Sequence, residues 1–355
     1  MCNRQRDTLR TGITTGTCAA AAAKASAIFL VSGEAPNSVT VKNLEGREFS
    51  LSTFREGNRF TVIKDAGDDK SDVTDGAEIS ALVELADGEN EIAFIAGEGV
   101  GTVTLPGLKI PVGQPAINPV PRKMIALAVR EVIPKRSLKV TVSVKNGEEL
   151  AKRTFNPRLG IVGGISILGT TGVVKPMNER AILDSLTLEM SMIRSLGYDE
   201  IFVTFAGTGE KIARRNFHIE GRNVIQCVNY PGHVLDEAER FGFTRVIICG
   251  QPGKLLKVTA GSFITHSKAS DGRLEALCTH LALMGACQNV IASVYRSNTT
   301  SEAMEIIKSG HLEKVWDNIA EATWKRCAER VNKAVKIDVI FFDTEGKILG
   351  AYHDE

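Results

Sequence analysis

The hydrophobic pattern of this 355-residue chain changes near Phe155. Before that residue, short segments rich in β-branched residues alternate apolar and polar positions, which predicts a mostly antiparallel sheet accompanied by helices. After it, apolar strands alternate with helical segments, which is typical of βαβ units around a mainly parallel sheet. Because a chain of this length exceeds one ordinary core, the sequence predicts an α+β domain over residues 1–155 and an α/β domain over residues 156–355.

The predicted elements follow from this change of pattern. In the first domain, a loop feeds an alanine-rich helix after Thr17, a second helix covers 122–133, and a hairpin joins 139–144 to 149–155 across Asn146 and Gly147. The other strands expected there are 39–43, 48–53, 60–64, 78–85 and 91–95. In the second domain, the expected strands are 160–168, 200–205, 223–228, 245–249 and 289–294, with helices over 178–196 and 233–241, a helical tract over 300–335 and a last hairpin of 338–343 with 348–352.

Charge is balanced along the chain. Lys and Arg total 43 against 42 Asp and Glu, which leaves a formal net charge of +1. A nearly neutral protein has no global field that recruits nucleic acid or an anionic membrane surface, so we expect neither as a partner. An anionic ligand would have to be bound by locally placed cations.

The seven cysteines are scattered, odd in number and without a Cys-x-x-Cys pair. This usage predicts reduced thiols and a cytoplasmic location. Cys278, His280 and Cys287 match no zinc-binding spacing, so no metal site is predicted. The alanine-rich run over 18–30 is interrupted by Lys24 and is shorter than the ~20 apolar residues of a membrane span.

Residues 11–17 are threonine, glycine and one isoleucine, and they lead into the alanine-rich helix. Amide groups at a helix start point outwards and suit an anion such as a carboxylate. Thr14, Thr15, Gly16 and Thr17 are therefore candidate ligand-binding residues. An ordinary capped loop explains the same residues equally well.

Carboxylates crowd the loop that follows the predicted strand 60–64. They are Asp65, Asp68, Asp69, Asp72 and Asp75. So many like charges repel one another unless a cation lies near. The loop could meet a sulfonium, an ammonium group, a ribose or a metal ion, and the alternative is a solvated acidic loop.

Two arginines accompany stretches rich in proline and glycine. Arg122 ends a segment, 115–122, with three prolines, which excludes regular sheet there. Arg158 precedes the predicted strand 160–168, and the glycine-rich loop 169–172 follows that strand. Ligands of open α/β sheets lie outside the carboxyl ends of strands, and a guanidinium binds a carboxylate through two hydrogen bonds. A glycine-rich connection can also serve only to reverse the chain.

A glycine–lysine segment follows the predicted strand 245–249. Gly253 and Lys254 superficially resemble a phosphate-binding loop, but the glycine spacing is short and Leu255 stands where Ser or Thr would hold magnesium. His266 follows among hydroxyl side chains, although a lone histidine is more often structural than catalytic.

Taken together, these segments resemble the cobalt-precorrin-5B C(1)-methyltransferase family, the CbiD-type proteins of cobalamin biosynthesis. The resemblance covers nearly the whole chain, and its motifs occur in the family's order, which makes it specific. The segments that carry it are Arg-Thr-Gly-Ile-Thr-Thr-Gly-Thr-Cys at 10–18 with the alanine run, Lys-Asp-Ala-Gly-Asp-Asp at 64–69, and the segments 115–122, 155–172 and 253–267.

The resemblance implies methylation of C-1 of cobalt-precorrin-5B to give cobalt-precorrin-6A in anaerobic cobalamin biosynthesis. The implied methyl donor is S-adenosylmethionine, a cosubstrate. Cobalt would be carried by the corrinoid substrate and not by the protein. The implied partners are this corrinoid and other enzymes of the cobalamin pathway that receive the product.

Roles for individual residues are predicted from the chemistry of this implied reaction and from the charged and glycine-rich loops described above. The acetate and propionate arms of the substrate are expected to bind Arg10, Arg122, Arg158 and Lys254, which should converge on one cleft. Ligand carboxylate or ribose is expected at Thr14, Thr15, Gly16, Thr17, Gly169, Thr170, Thr171 and Gly172. The cationic donor is expected to face Asp65, Asp68 and Asp69, and one of these carboxylates or His266 is the candidate base.

Two other kinds of function remain open from the sequence. A non-catalytic corrinoid carrier would bind the tetrapyrrole tightly without consuming S-adenosylmethionine. A nucleotide-binding enzyme that uses the glycine-rich loops would bind ATP or NAD.

Overall fold

The structure, a computed structural model, describes residues 9–176 and 179–354. Its contacts divide the chain into two compact units, the first ending at Ala181 and the second beginning at Ile182. Residues 156–176 thus belong to the first unit, although the sequence pattern assigned them to the second domain.

Strand pairing explains why the boundary between the units lies further along the chain than the predicted domain boundary near Phe155. The segment predicted as one strand over 160–168 forms two short strands, and that prediction is wrong. Ile161–Val162 pairs with Thr102–Val103, and Gly164–Ile165 pairs with Gly99–Val100. Both partners lie in the first unit, so these pairings tie the segment to it.

The first unit combines a five-stranded sheet with several two-stranded pairings and with helices. Its strands are β1 (Gly12–Ile13), β2 (Ser38–Lys42), β3 (Glu48–Ser52), β4 (Phe54–Glu56), β5 (Arg59–Ile63), β6 (Glu78–Leu85), β7 (Ile92–Ala96), β8 (Gly99–Val100), β9 (Thr102–Val103), β10 (Leu138–Val144), β11 (Ile161–Val162), β12 (Gly164–Ile165) and β13 (Val173–Val174). Its helices are α1 (Thr15–Ser32), α2 (Pro119–Arg130) and α3 (Gly147–Ala151).

The main sheet has the order β4-β5-β6-β10-β7 and is antiparallel except where β10 pairs with β7. The predicted antiparallel character is therefore confirmed. Helix α1 packs against this sheet and α2 through its alanines, which are buried in the core. By length and hydropathy alone α1 could cross a membrane, but 67% of its 18-residue window is buried inside the protein. This burial accounts for its apolar composition.

The predicted hairpin of 139–144 with 149–155 is wrong. Strand β10 has β6 on one side and β7 on the other, so it offers no edge to a further strand. The chain instead forms α3 from Gly147 onwards. Gly147 lies directly against the backbone of Gly99, where an added Cβ would be 2.0 Å from the carbonyl oxygen.

The second unit contains a mainly parallel sheet flanked by helices. Its strands are β14 (Glu200–Thr204), β15 (Val224–Gln226), β16 (Arg245–Gly250), β17 (Lys336–Phe342) and β18 (Ile348–Tyr352). Its helices are α4 (Glu179–Ser195), which spans the division, α5 (Gly207–Asn216), α6 (Pro231–Arg240), α7 (Pro252–Thr259), α8 (Arg273–Leu283), α9 (Gln288–Tyr295), α10 (Thr300–Ser309) and α11 (Val315–Arg330). The helix predicted over 178–196 is confirmed from Glu179, and Asn178 lies outside the described residues. The strand predicted over 289–294 is wrong, because α9 occupies it.

The strand order β15-β14-β16-β17-β18 makes this sheet doubly wound. From β14 the chain moves first to β15 on one side and then back to β16 on the other. Ile340 and Phe342 of β17 pack with α5, whereas Phe341 contacts Trp316 of α11 at a ring distance of 5.8 Å. Since neighbouring residues of a strand point to opposite faces, helices cover both faces. The direction of winding reverses between β14 and β16, and ligands of such sheets bind at that point, outside the carboxyl ends of the strands.

Candidate functional site

Four loop segments that are distant in sequence meet at the N-terminal end of α1. Ile13 N donates to Asp65 O at 2.8 Å, and Gly16 N donates to Leu168 O at 3.0 Å. A Cβ added to Gly16 would lie 2.8 Å from the Pro121 ring. Strands β1 and β13 also pair here. These contacts join the segments 10–17, 65–69, 115–122 and 167–174, which together we call the α1 cluster.

Three threonines organise the start of α1. Thr14 is the N-cap, with its Oγ1 accepting from Thr17 N at 3.2 Å. Thr15 Oγ1 donates to Leu168 O at 3.1 Å and accepts from Leu168 N at 2.9 Å. Thr17 Oγ1 donates to Gly172 O at 2.8 Å. These polar groups, which the sequence suggested for a ligand, bond to the protein itself and fix the loops against each other.

The threonine–glycine loop 169–172 packs against the first such loop, residues 14–17. Gly169 has φ of 135°, and a Cβ there would lie 2.3 Å from Thr14 Oγ1. Gly172 has φ of 77° and is buried. Thr170 and Thr171 are exposed. The structure therefore brings the two predicted binding segments, 14–17 and 169–172, together, and their role in binding stays a prediction.

Arg10 and Asp65 form an ion pair at the surface of the α1 cluster. Both guanidinium Nη atoms donate to the carboxylate, with Nη2 to Oδ1 at 2.9 Å. The backbone N of Arg10 also donates to Asp68 Oδ2 at 2.7 Å. The Arg10 hydrogen bonds hold the pKa of the Asp65 carboxyl below its ordinary value. Both side chains are more than half exposed, so a ligand can reach them.

Lys64 relieves the repulsion within the acidic loop. Its Nζ donates to Asp72 Oδ2 at 2.5 Å, and its side chain is only 2% exposed. Burial alone would raise the pKa of Asp72, but hydrogen bonds from Lys64 and Thr74 outweigh burial and lower it. Asp69 accepts from the backbone and hydroxyl of Ser71. The sequence reasoning missed Lys64 as the neutralising cation, although its place directly before the loop was the available signal.

Arg122 closes the proline-rich loop. Its Nε donates to Ile117 O at 2.8 Å and its Nη2 to Pro115 O at 3.0 Å, while the guanidinium lies 5.3 Å from the Phe94 ring centre. Burial lowers the pKa of Arg122. Within residues 9–176 and 179–354 it forms no salt bridge, so its charge is available to an anion. Arg158 lies in the same unit, in the turn that its amide closes onto Phe155 O.

Lys254 and His266 belong to the second unit. Lys254 lies in the first turn of α7, and its Nζ donates to Val228 O at 2.8 Å and to Asn229 Oδ1 at 2.7 Å. His266 is exposed, and its Nδ1 accepts from Lys268 N at 3.2 Å. Their roles in binding and proton transfer stay predictions.

Neither metal-ligating side chains nor deeply buried thiols supply a reactive group among the described residues. Across the described ranges no group of three His, Cys, Asp or Glu side chains could hold a metal ion. Burial raises the pKa of the Cys18, Cys249 and Cys327 thiols to about 12, so these thiols are protonated near neutral pH. None of the three is suited to act as a nucleophile.

Fold and site together define a class: an α/β protein of two units, with exposed charged side chains on clustered loops in one and a doubly wound sheet in the other. Small-molecule ligands commonly bind to such loop clusters and at the carboxyl ends of the strands of such a sheet.

Comparison with known proteins then gives the family. The model of the CbiD family matches residues 2–176, and that of the CbiD C-terminal domain matches residues 264–353. The chain belongs to the CbiD family.

Curated relatives cover nearly the full length. The cobalt-precorrin-5B C(1)-methyltransferase of Photorhabdus laumondii is 43% identical over 350 residues, which is 96% of this chain and 92% of the relative. The protein of the same name from Alkaliphilus metalliredigens is 42% identical over 348 residues, with the same shares covered. A crystal structure of the cobalamin biosynthesis protein CbiD from Archaeoglobus fulgidus is 32% identical, covering 78% of this chain and 85% of that one, with a TM-score of 0.40.

Proposed function

We propose that this chain transfers a methyl group from S-adenosylmethionine to C-1 of cobalt-precorrin-5B, giving cobalt-precorrin-6A in anaerobic cobalamin biosynthesis. The observation that carries the proposal is identity above 40%, over nearly the whole chain, to relatives named for this reaction. Cobalt enters as part of the substrate. The product passes to another enzyme of the cobalamin pathway, and the reaction takes place in the cytoplasm.

The arrangement of cations in the first unit suits a polycarboxylate substrate. Arg10 is exposed at the surface of the α1 cluster, and Arg122 is a half-buried cation without a carboxylate partner among the described residues. A hydrogen bond between charged groups contributes about 1.5–3 kcal/mol. Together with Arg158, these arginines are proposed to bind acetate and propionate arms.

The donor is a sulfonium cation and therefore favours nearby carboxylates. Asp65 and Asp68 are exposed beside Arg10, and Asp69 lies next in the same loop. Displacement of Arg10 from Asp65 by a substrate carboxylate would free that carboxylate to face the sulfonium. The exposed hydroxyls of Thr170 and Thr171 are proposed to contact ligand carboxylate or ribose.

Methyl transfer demands alignment more than covalent help from the protein. A bond forms between the ring carbon and the methyl carbon while the methyl–sulfur bond breaks. The electron pair of the methyl–sulfur bond returns to sulfur. Holding the two reactants in line can lower such a barrier by about 7–11 kcal/mol. A proton that leaves the ring would pass to an aspartate of the acidic loop or to His266.

The direct test is turnover. Purified protein is incubated with cobalt-precorrin-5B and S-adenosylmethionine, and the products are separated and weighed by mass spectrometry. We expect a corrinoid heavier by one methyl group and an equal amount of S-adenosylhomocysteine. Omission of either reactant should abolish both products.

The turnover assay, combined with calorimetric binding measurements, separates the other two kinds of function. Tight corrinoid binding without formation of S-adenosylhomocysteine would identify a carrier and contradict the proposal. Binding of ATP or NAD in calorimetry, with no effect of S-adenosylmethionine, would indicate a nucleotide enzyme.

A further inference from the structure

Helix α7 carries one buried and one half-buried lysine, and neither has a carboxylate partner among the described residues. Lys257 is 4% exposed, and Lys254 is half-buried one turn earlier on the same helix. Within the described ranges neither forms a salt bridge. The carboxylate that interacts electrostatically with Lys257 is Asp271, but its lowered pKa is due mainly to the hydrogen bond from Arg273 Nε at 2.7 Å, and its side chain is exposed. The two ammonium groups therefore leave a local excess of positive charge.

Each ammonium has bonding capacity left over. Lys254 Nζ reaches Val228 O and Asn229 Oδ1, and Lys257 Nζ reaches Thr265 O at 3.2 Å and Ser270 O at 2.8 Å. An ammonium has three hydrogens to donate, so one on each lysine is unused by these bonds. Burying a charge without a counter-charge is unfavourable, which indicates that an anion completes the arrangement.

Thr265 is a second and independent sign of a missing partner. The residue is 2% exposed, and its Oγ1 forms no hydrogen bond to any part of the chain that the structure describes. Its backbone is part of the lysine network, because its N donates to Asn229 O at 2.9 Å and its O accepts from Lys257. Buried hydroxyls are almost always bonded, so a ligand oxygen is the expected partner.

The position of these groups in the sheet is that of a ligand site. Lys254 follows β16, and it bonds to Val228 and Asn229, which follow β15. Since β14 lies between those strands, Lys254 spans the carboxyl end of β14. This is beside the place where the winding reverses.

The backbone at Val228 is strained in the same place. Its φ is 56°, which is a rare conformation for a β-branched residue. That conformation presents its carbonyl to Lys254 Nζ. Strained residues of this kind cluster at ligand-binding sites.

We infer that Lys254, Lys257 and Thr265 form a carboxylate-binding site in the second unit, which we call the α7 site. The choice of a carboxylate rests on the proposed function, whose two reactants both carry one. It is supplied either by the methionyl end of S-adenosylmethionine or by an arm of the corrinoid. The sequence analysis predicted a binding role for Lys254 but not for Lys257. The spacing of three residues was the available signal, because residues three apart lie on the same face of a helix.

Thr265→Val tests the α7 site most cleanly. Valine has the shape of threonine, and the hydroxyl that it removes has no partner among residues 9–176 and 179–354. The variant should therefore fold with unchanged or higher stability. Calorimetric titrations would use S-adenosylhomocysteine and, as its counterpart without a carboxylate, 5′-methylthioadenosine. A second pair is cobyrinic acid and its heptamethyl ester.

We expect Thr265→Val to weaken one carboxylate probe about tenfold and to leave its uncharged counterpart unchanged. The affected probe identifies the source of the carboxylate. Lys254→Met should act in the same direction, whereas Lys325→Met, which removes an exposed lysine paired with Glu321, should have no effect. Wild-type affinity for both carboxylate probes in Thr265→Val would overturn the inference.

A thermal-shift experiment with sodium acetate tests the α7 site independently of methyl transfer. Acetate should raise the melting temperature of the wild-type protein more than that of Thr265→Val, with sodium chloride as the control for ionic strength. If the wild-type protein bound neither large probe but showed this acetate effect, the proposed function would fail and the α7 site would stand. Equal acetate effects in both proteins would count against the α7 site itself.

Discussion

Gly12 and Gly67 allow two loops of the first unit to approach at backbone distance. A Cβ on Gly12 would lie 2.1 Å from the carbonyl carbon of Ala66, and one on Gly67 would lie 2.3 Å from Arg10 O. Gly67 also has φ of 69°, which favours glycine. The Arg10–Asp65 pair therefore depends on residues that have no side chain.

Gly12→Ala should destabilise the protein by about 1–3 kcal/mol, because the clash involves backbone that has no room to move. The free energy of unfolding would be measured by denaturant titration. Gly209→Ala is the matched control, since a Cβ there meets Thr204 Cβ at an ordinary 3.7 Å. Equal stability of Gly12→Ala and wild type would show that the loops separate at little cost.

The Lys64–Asp72 pair is a buried ion pair with unequal burial. Lys64 is 2% exposed and Asp72 is 18% exposed. Asp72→Asn leaves an ammonium buried without a counter-charge and should cost about 3 kcal/mol. Lys64→Met should cost less, because the remaining carboxylate keeps its bonds from Thr74 and partial contact with water. A double-mutant cycle from denaturant titrations would measure the coupling, and additive single effects would contradict it.

The same pair predicts how stability depends on pH. The pKa of Asp72 is lowered in the folded state, whereas in the unfolded chain it returns to about 3.9. Its contribution is therefore complete above about pH 4 and is lost as the pH falls through the folded pKa. Asp65 shifts in the same direction. Unfolding free energies measured from about pH 6 downwards should fall less steeply below pH 4 in Asp72→Asn, and parallel curves would refute this assignment.

At the level of elements, the sequence predicted best where a segment's own pattern decides its structure. The strand predicted over 78–85 coincides with β6, the strands predicted over 39–43 and 48–53 are confirmed as β2 and β3, and the predicted last hairpin is confirmed as β17 with β18. The predictions were wrong where the secondary structure of a segment depends on the elements that surround it. The segment 289–294 is apolar and short, and such a run fits a strand or a buried helix turn equally well. The segment 149–155 lost its partner because β10 is central in its sheet.

Helix α1 is specified by small side chains rather than by an apolar stripe. Its alanines are buried on all sides, against α2 and the strands β5 and β6. Ala22 is fully buried, so Ala22→Leu should overpack the core and cost about 1–3 kcal/mol or more. Val31→Leu, at an exposed position of the same helix, should leave the unfolding free energy unchanged. Thermal unfolding of both variants would test this, and similar melting temperatures would contradict tight packing.

At the level of the whole molecule, the candidate site was only partly readable from the sequence. Threonine, glycine and charged residues in loops identified the segments of the α1 cluster. Their mutual contacts were not readable, because Thr17 and Gly172 are 155 positions apart and only tertiary folding joins them. The tripeptide Thr-Thr-Gly occurs at 14–16 and again at 170–172, and the two copies pack together although nothing in the sequence pairs them.

The near-zero net charge leads to a prediction about substrate affinity. With a formal charge of +1, the protein as a whole attracts a polyanion weakly, so affinity must come from individual cations placed close to the bound carboxylates. Arg122, half-buried and without a carboxylate partner in the described ranges, should contribute more than an exposed lysine that is surrounded by water. Arg122→Gln should therefore weaken binding of cobyrinic acid about tenfold, whereas the adjacent and exposed Lys123→Gln should change it little.

Ionic strength separates these contributions further. Salt screens exposed charges over about 10 Å at 0.1 M, but partly buried pairs are screened much less. The affinity lost in Arg122→Gln should therefore persist at high salt, while any small loss in Lys123→Gln should disappear. Calorimetric titrations over a series of sodium chloride concentrations would measure both. Because Arg122 also bonds to Ile117 O and Pro115 O, the melting temperature of each variant must be measured alongside. A loss of affinity in Arg122→Gln that vanished with salt would place Arg122 at the periphery of the site rather than in contact with a carboxylate arm.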